Sequence, residues 1–244
     1  LGVGATPVKA PETDFTVSVD ALLDKVTDRT RILYIANPNN PTGTMVTKDE
    51  MTRLRHGLRD DILLVIDAAY AEYVTRNDYS AGVELVDAGE NVVMTRTFSK
   101  IYALGGVRLG WAYCPEAIAD VLNRIRPPFN VTSAAQGAGI AAVNDVEFLT
   151  RSRDHNTAWL TWLSDRLAEA GLDVVPSIGN FVLVRFPEDG VHDAASAMKF
   201  LASRGIIPRS TASAGIPDGI RITVGVEDEM RLTMAAITDF MTQS

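Results

Sequence analysis

The sequence has a single cysteine, Cys114, among 244 residues, which excludes an intrachain disulfide framework. No apolar run is long enough to span a bilayer, and no basic leader precedes an apolar stretch, so a reducing cytoplasm is the expected home. Basic charge is in deficit: 23 lysines and arginines stand against 31 aspartates and glutamates, a formal net charge of −8. That sign is unsuited to nucleic acid or an anionic membrane surface, although local basic pockets for small anions remain compatible with it. The three histidines, His56, His155 and His192, are scattered, with no carboxylate or cysteine at metal-ligand spacing, so no metal is expected. Internal repeats and low-complexity linkers are also absent. The first residues, Leu1-Gly-Val-Gly-Ala-Thr-Pro, lack an initiator methionine and read like the middle of a domain.

What is present is an ordinary globular composition, 46% hydrophobic and 22% charged, sufficient for a substantial core. Short apolar runs at Ile32 to Ile35, Leu63 to Ile66, Val92 to Met94 and Gly110 to Tyr113 read as buried strands. Helical stretches such as Lys48 to Leu58 lie between them, so an α/β sheet is expected. After the Ala/Gly-rich segment Thr132 to Val143, residues Glu147 to Ala170 carry Leu160, Leu163 and Leu167 on one helical face, with Gly171 as a stop. This reads as a connecting helix. Strands at Asn180 to Phe186 and Ile220 to Val224, with a closing helix over Glu227 to Met241, suggest a smaller α+β domain. The expected division is 1–145 and 146–244.

The sharpest chemistry lies in Thr97-Phe98-Ser99-Lys100-Ile101-Tyr102-Ala103-Leu104-Gly105-Gly106-Val107-Arg108. A lysine after a strand, beside hydroxyls and ahead of a glycine pair and an arginine, has the parts to hold an aldehyde cofactor with a phosphate tail. Lys100 would supply the amine of a Schiff base, and Thr97, Ser99 and Arg108 would donate to the phosphate. Any single lysine is usually just a solvated surface residue, so the weight rests on its neighbours.

Two further segments follow apolar strands. Asn37-Pro38-Asn39-Asn40-Pro41-Thr42-Gly43 is ordinary turn punctuation, yet it also presents amides at the sheet edge where α/β proteins bind ligands, and Asn40 could donate to a phenolate oxygen. Asp67-Ala68-Ala69-Tyr70-Ala71-Glu72 ends a strand in a carboxylate, which is costly unless paired. Asp67 is either a helix N-cap or the partner of a protonated pyridine nitrogen, and Tyr70 could reach the same ring oxygen as Asn40.

The order Asn-Pro-Asn-Asn-Pro-Thr-Gly, then Asp-x-Ala-Tyr-x-Glu, then Thr-Phe-Ser-Lys with an arginine eight positions after the lysine, resembles the fold-type I pyridoxal-phosphate (PLP) aminotransferases, most closely their histidinol-phosphate branch. The resemblance implies a mixed, mostly parallel sheet in a large PLP-binding domain and a smaller α+β C-terminal domain. It further implies that Lys100 carries PLP and shuttles a proton between Cα and the cofactor's C4′. Asp67 would pair with the pyridine nitrogen, Asn40 and Tyr70 would contact the ring oxygen, and Thr97, Ser99 and Arg108 would hold the phosphate. Gly219-Ile220-Arg221-Ile222-Thr223-Val224-Gly225 is similar to the family's carboxylate-binding strand. Arg221 would be the anion clamp, and Arg209 a second arginine suited to the phosphate of histidinol phosphate.

The implied reaction passes an amino group between histidinol phosphate and 2-oxoglutarate in histidine biosynthesis, in a cytoplasmic homodimer. Alternatives within the fold are an aromatic or broad-specificity aminotransferase and a threonine-phosphate decarboxylase; outside it, a non-catalytic PLP-fold module. The family's glycine-rich turn, its ring-stacking aromatic and its N-terminal substrate contacts have no match in the sequence, so a further N-terminal portion is expected to be missing.

Overall fold

The computed structural model describes residues 4–89 and 91–242, which divide into two compact units. The first comprises residues up to Asn39 and Met45–Asn144, and the second comprises Asn40–Thr44 and the chain from Asp145 onward.

In the first unit a short hairpin, β1 (Glu12–Thr13) and β2 (Thr16–Val17), leads into α1 (Val19–Asp24), whose first turn is capped by the Ser18 hydroxyl accepting from the Ala21 N–H. Then follow β3 (Ile32–Ala36), α2 (Lys48–Gly57), β4 (Leu63–Asp67), α3 (Val83–Ala88), β5 (Val92–Thr97), β6 (Gly110–Tyr113), α4 (Glu116–Ile125) and α5 (Ser133–Asn144). The sheet order is β3-β4-β5-β6, with the first three strands parallel and β6 antiparallel to β5.

Side chains alternate across a strand, so register decides which residues face the core. Leu33, Ile35, Leu64, Ile66, Val92 and Met94 are buried in one cluster with Val19, Met51, Leu54, Leu85 and Val86 from the helices. The opposite parity places Ile32, Tyr34 and Ala36 beside Leu63, Val65 and Asp67. On that face Ile32 and Tyr34 are exposed.

The expectation of four buried strands fails at β6, where all four residues are exposed. The reason is position: β6 is an edge strand that turns back along β5, and an apolar run does not reveal whether a strand lies inside or at the rim.

The second unit contains α6 (Val146–Glu169), β7 (Asp173–Val175), β8 (Phe181–Arg185), α7 (Ala194–Ser203), β9 (Arg209–Ser210), β10 (Gly219–Thr223) and α8 (Glu227–Met241). Its sheet, ordered β7-β8-β10-β9, is wholly antiparallel. Leu163 and Leu167 of α6 are fully buried with Val182, Val184, Ile220 and Ile222 of the sheet and Met230, Ile237 and Phe240 of α8, while Leu160 packs at the edge. Asp145 and Asp193 cap α6 and α7 by accepting from Phe148 N–H and Ser196 N–H. The segment Asn40–Thr44 joins this unit through Ile178 N–H donating to Gly43 O at 2.9 Å. Gly43 sits at φ 78°, and a Cβ there would fall 2.1 Å from the Ser177 hydroxyl, so only glycine fits. No helix among the described residues is long and apolar enough to cross a membrane.

The face assignment predicts an asymmetry in urea unfolding. Leu64→Ala, at a fully buried position, should cost about 2–5 kcal/mol, whereas Ile32→Ala, 60% exposed on the same sheet, should stay near about 0.5 kcal/mol. Equal losses would place the core on both faces.

Candidate functional site

Lys100 lies three residues beyond β5, in a loop fixed from both sides. Phe98 and Ile101 are buried, and their rings and branches anchor the turn beneath the chain. The backbone closes on itself: Phe98 N–H donates to Leu109 O, Leu104 N–H to Phe98 O, and Ala103 N–H to Lys100 O. The Thr97 hydroxyl accepts from Ser99 N–H at 3.0 Å and braces the start of the loop. Lys100 is left half-buried, with Nζ 5.1 Å from the centre of the Tyr70 ring and no ion pair among the described residues. Arg108 closes the loop in a left-handed conformation at φ 59°; its guanidinium is exposed and donates to Gly105 O at 2.7 Å. The loop thus holds an amine, two hydroxyls and a guanidinium within one short stretch.

The neighbouring parallel strand ends in Asp67, which pairs in register with Thr95. Its carboxylate is held on both oxygens. Oδ1 accepts from Ala69 N–H at 3.2 Å, and Oδ2 accepts from the Tyr34 hydroxyl at 2.8 Å. Tyr70, buried, follows directly and lies beneath the Lys100 amine. The structure therefore brings Asp67, Tyr70 and Lys100 to the same end of adjacent strands. Tyr34 was not apparent from sequence: its only signal is that it alternates with Leu33 and Ile35, which puts its hydroxyl on the face of Asp67. Partial burial, then the hydrogen bond to Asp67 and its negative charge, push the Tyr34 hydroxyl up to about 12.

A second unforeseen pair lies on the core side of the same strands. Arg96, next to Thr97, makes an ion pair with Glu72, two residues after Tyr70, with Nη2 2.7 Å and Nε 3.1 Å from Glu72 Oε1. The side chains are only 17% and 7% exposed, and the Arg96 guanidinium also covers the Trp111 ring of β6 at 5.6 Å. A pair this deep ties the loop after β4 to the strand that precedes Lys100.

The asparagines divide. Asn37 is fully buried and its carboxamide is consumed by the backbone, donating to Val46 O and accepting from Val46 N–H, both at 2.9 Å. Asn40 is exposed in the C-terminal unit, where its Oδ1 accepts from Arg221 Nη1 at 2.6 Å. Arg221, on β10, also lies over the Phe181 ring at 4.8 Å. Arg209 stands directly opposite Arg221 across the β9–β10 pair. Like charges at cross-strand positions repel unless an anion sits between them. Both arginines line a groove of about 800 Å³ with Arg204, Ile207, Met230 and Leu232. Arg204 is committed to Asp239. No cluster of metal-ligating side chains occurs among the described residues.

The model of aminotransferase class I and II matches residues 2–237. Curated relatives include the histidinol-phosphate aminotransferases of Paramagnetospirillum magneticum, 60% identical, and of Rhodospirillum centenum, 55% identical; each alignment covers 98% of this chain and 66% of the relative. The chain therefore spans about two thirds of the length of the relatives it matches. Among solved structures, histidinol-phosphate aminotransferase from Sinorhizobium meliloti in complex with pyridoxal-5'-phosphate superposes with a TM-score of 0.87 at 29% identity, over 96% of this chain and 64% of that one.

Two measurements test the electrostatics. Arg96→Met, which leaves Glu72 buried and unpaired, should lower stability by about 3–5 kcal/mol in denaturant unfolding, with much of the loss recovered by adding Glu72→Leu. In the tyrosinate absorbance that rises toward pH 12, Tyr34→Phe should remove one residue's share of the amplitude. Because the folded value lies above that of an unfolded tyrosine, the associated stabilisation is complete below about pH 10 and disappears as pH rises toward 12.

Proposed function

From the premise that this chain belongs to aminotransferase class I and II, we propose that it serves a PLP-dependent transamination whose amino donor is histidinol phosphate and whose acceptor is 2-oxoglutarate. The observation that carries the first half is the Lys100 amine over the Tyr70 ring, with Asp67 at the end of the adjacent strand. The donor set fits pyridoxal phosphate: an amine with no ion pair among the described residues for the aldehyde, a carboxylate for the ring nitrogen, and hydroxyls with a guanidinium for the phosphate.

Bound there, the cofactor supplies an electron sink for the charge left at the substrate Cα when its proton departs. The chain's own residues do the rest. Lys100 holds the aldehyde through its amine and afterwards acts as the acid and base that moves the Cα proton. Asp67 keeps the ring nitrogen protonated. Tyr70 and Asn40 serve the ring oxygen, while Thr97, Ser99 and Arg108 hold the phosphate. In this reading residues 1–145 are the cofactor-binding domain and 146–244 the small domain, in a cytoplasmic homodimer.

The donor is supported by the facing arginines. Two guanidiniums at opposed positions on β9 and β10 suit a phosphate dianion better than a single carboxylate, which one bidentate arginine satisfies. The 55–60% identity to proteins named histidinol-phosphate aminotransferase supports the same choice.

The full-length protein should take on the yellow colour of a lysine-bound pyridoxal group, lose it on borohydride reduction, and lack it in Lys100→Ala. With histidinol phosphate and phenylalanine compared as donors, Arg209→Ala should raise KM for the phosphate donor about tenfold or more and leave phenylalanine nearly unaffected. Equal losses for both donors would remove the basis of the phosphate assignment.

A further inference from the structure

The carboxylate of Asp67 is gripped twice, and the two grips differ in origin. The Ala69 N–H on Oδ1 comes from the chain's own turn two residues on, as short aspartate side chains commonly arrange. The Tyr34 hydroxyl on Oδ2 comes from another strand, 33 residues earlier in the sequence. The parallel register of β3 and β4 pairs Tyr34 with Val65 and Ala36 with Asp67, so the tyrosine lies one same-face step behind the carboxylate and its long side chain reaches forward. A phenylalanine at that position would have the same reach and no donor.

Tyr34 is poorly explained as a packing residue. It is 59% exposed and belongs to no buried cluster, so its ring contributes little burial. What it does contribute is a short charge-assisted hydrogen bond that, together with Ala69, stops the carboxylate from rotating about its last torsion. A carboxylate that must present one oxygen to a ring nitrogen gains from being held in one orientation before the ring arrives.

We propose that Tyr34 is a positioning residue for the cofactor: it orients the Asp67 carboxylate toward the pyridine nitrogen of pyridoxal phosphate. This rests on the PLP reading given above. The consequence is a residue that touches neither substrate nor the reacting atoms, yet governs how firmly the ring is held.

The test is a double-mutant cycle on the full-length protein, with PLP dissociation constants measured for wild type, Tyr34→Phe, Asp67→Asn and the double variant, and borohydride trapping on Lys100 at saturating cofactor. Tyr34→Phe should weaken PLP about tenfold, the worth of one hydrogen bond to a charged group, while the apo-protein still unfolds in one cooperative thermal transition, lowered only by the loss of that bond. In the Asp67→Asn background the same substitution should have almost no effect, because the partner it orients is gone. Lys100 should still be trapped in Tyr34→Phe, and kcat should fall more than KM for the donor changes. An unaltered PLP affinity in Tyr34→Phe, or an equal loss with and without Asp67, overturns the positioning role while leaving the PLP reading standing. A wild-type protein that captures no pyridoxal phosphate overturns both.

Discussion

The parallel register of β3, β4 and β5 is the constraint from which the site follows. It carries three strand ends to one edge of the sheet, and parity within each strand then decides whether a side chain joins the core or the opposite face. Asp67 falls on the same face as Val65 and Tyr34, while Ile66 between them is fully buried. A slip of one residue in β4 would turn the carboxylate toward the buried cluster that holds Met51, Leu54, Leu85 and Val86, and turn Ile66 to the opposite face. Chemistry and packing are set by a single choice of pairing.

Around that frame the chain spends its strongest interactions on the segments beyond the strands. Phe98 and Ile101 pin the lysine loop from below, the Glu72–Arg96 pair joins the two strand ends on the core side, and Asn37 fixes the turn after β3 by using its whole carboxamide on Val46. Buried ion pairs seldom add net stability over apolar packing of equal size, so one placed beside the lysine and tyrosine is better understood as a device for geometry. The outer surface shows the opposite economy. Arg53 with Asp20 and Glu50, and Arg76 with Asp78, are exposed pairs that contribute little beyond solubility.

Legibility in the sequence tracked locality. The lysine loop, the Asp67 turn and the helix over Glu227 to Met241 are written in contiguous residues, and each could be read there. Tyr34 and Arg96 could not, because their partners are supplied by pairing across 33 and 24 positions, and nothing in the residues themselves names the partner. The same limit explains β6. Gly110 to Tyr113 has the composition of an interior strand, and only the sheet order places it at an edge where its aromatic side chains are partly open. From the sequence, Arg209 and Arg221 are expected to serve one anion pocket; that they oppose each other across one strand pair is a fact of register.

The five residues Asn40–Thr44 complete the C-terminal unit from far upstream, and Asn40 meets Arg221 across 181 positions. On a ribosome this has a temporal meaning. The early segment emerges first, and Asn40 must wait for its partner until β10 has been synthesised. Closing so long a loop costs only a few kcal/mol more entropy than closing a short one, because the penalty grows with the logarithm of length. The expense is therefore in time: the last strand of the second sheet sets the moment at which Asn40 gains its arginine, whereas Gly43 can dock as soon as Ile178 has emerged.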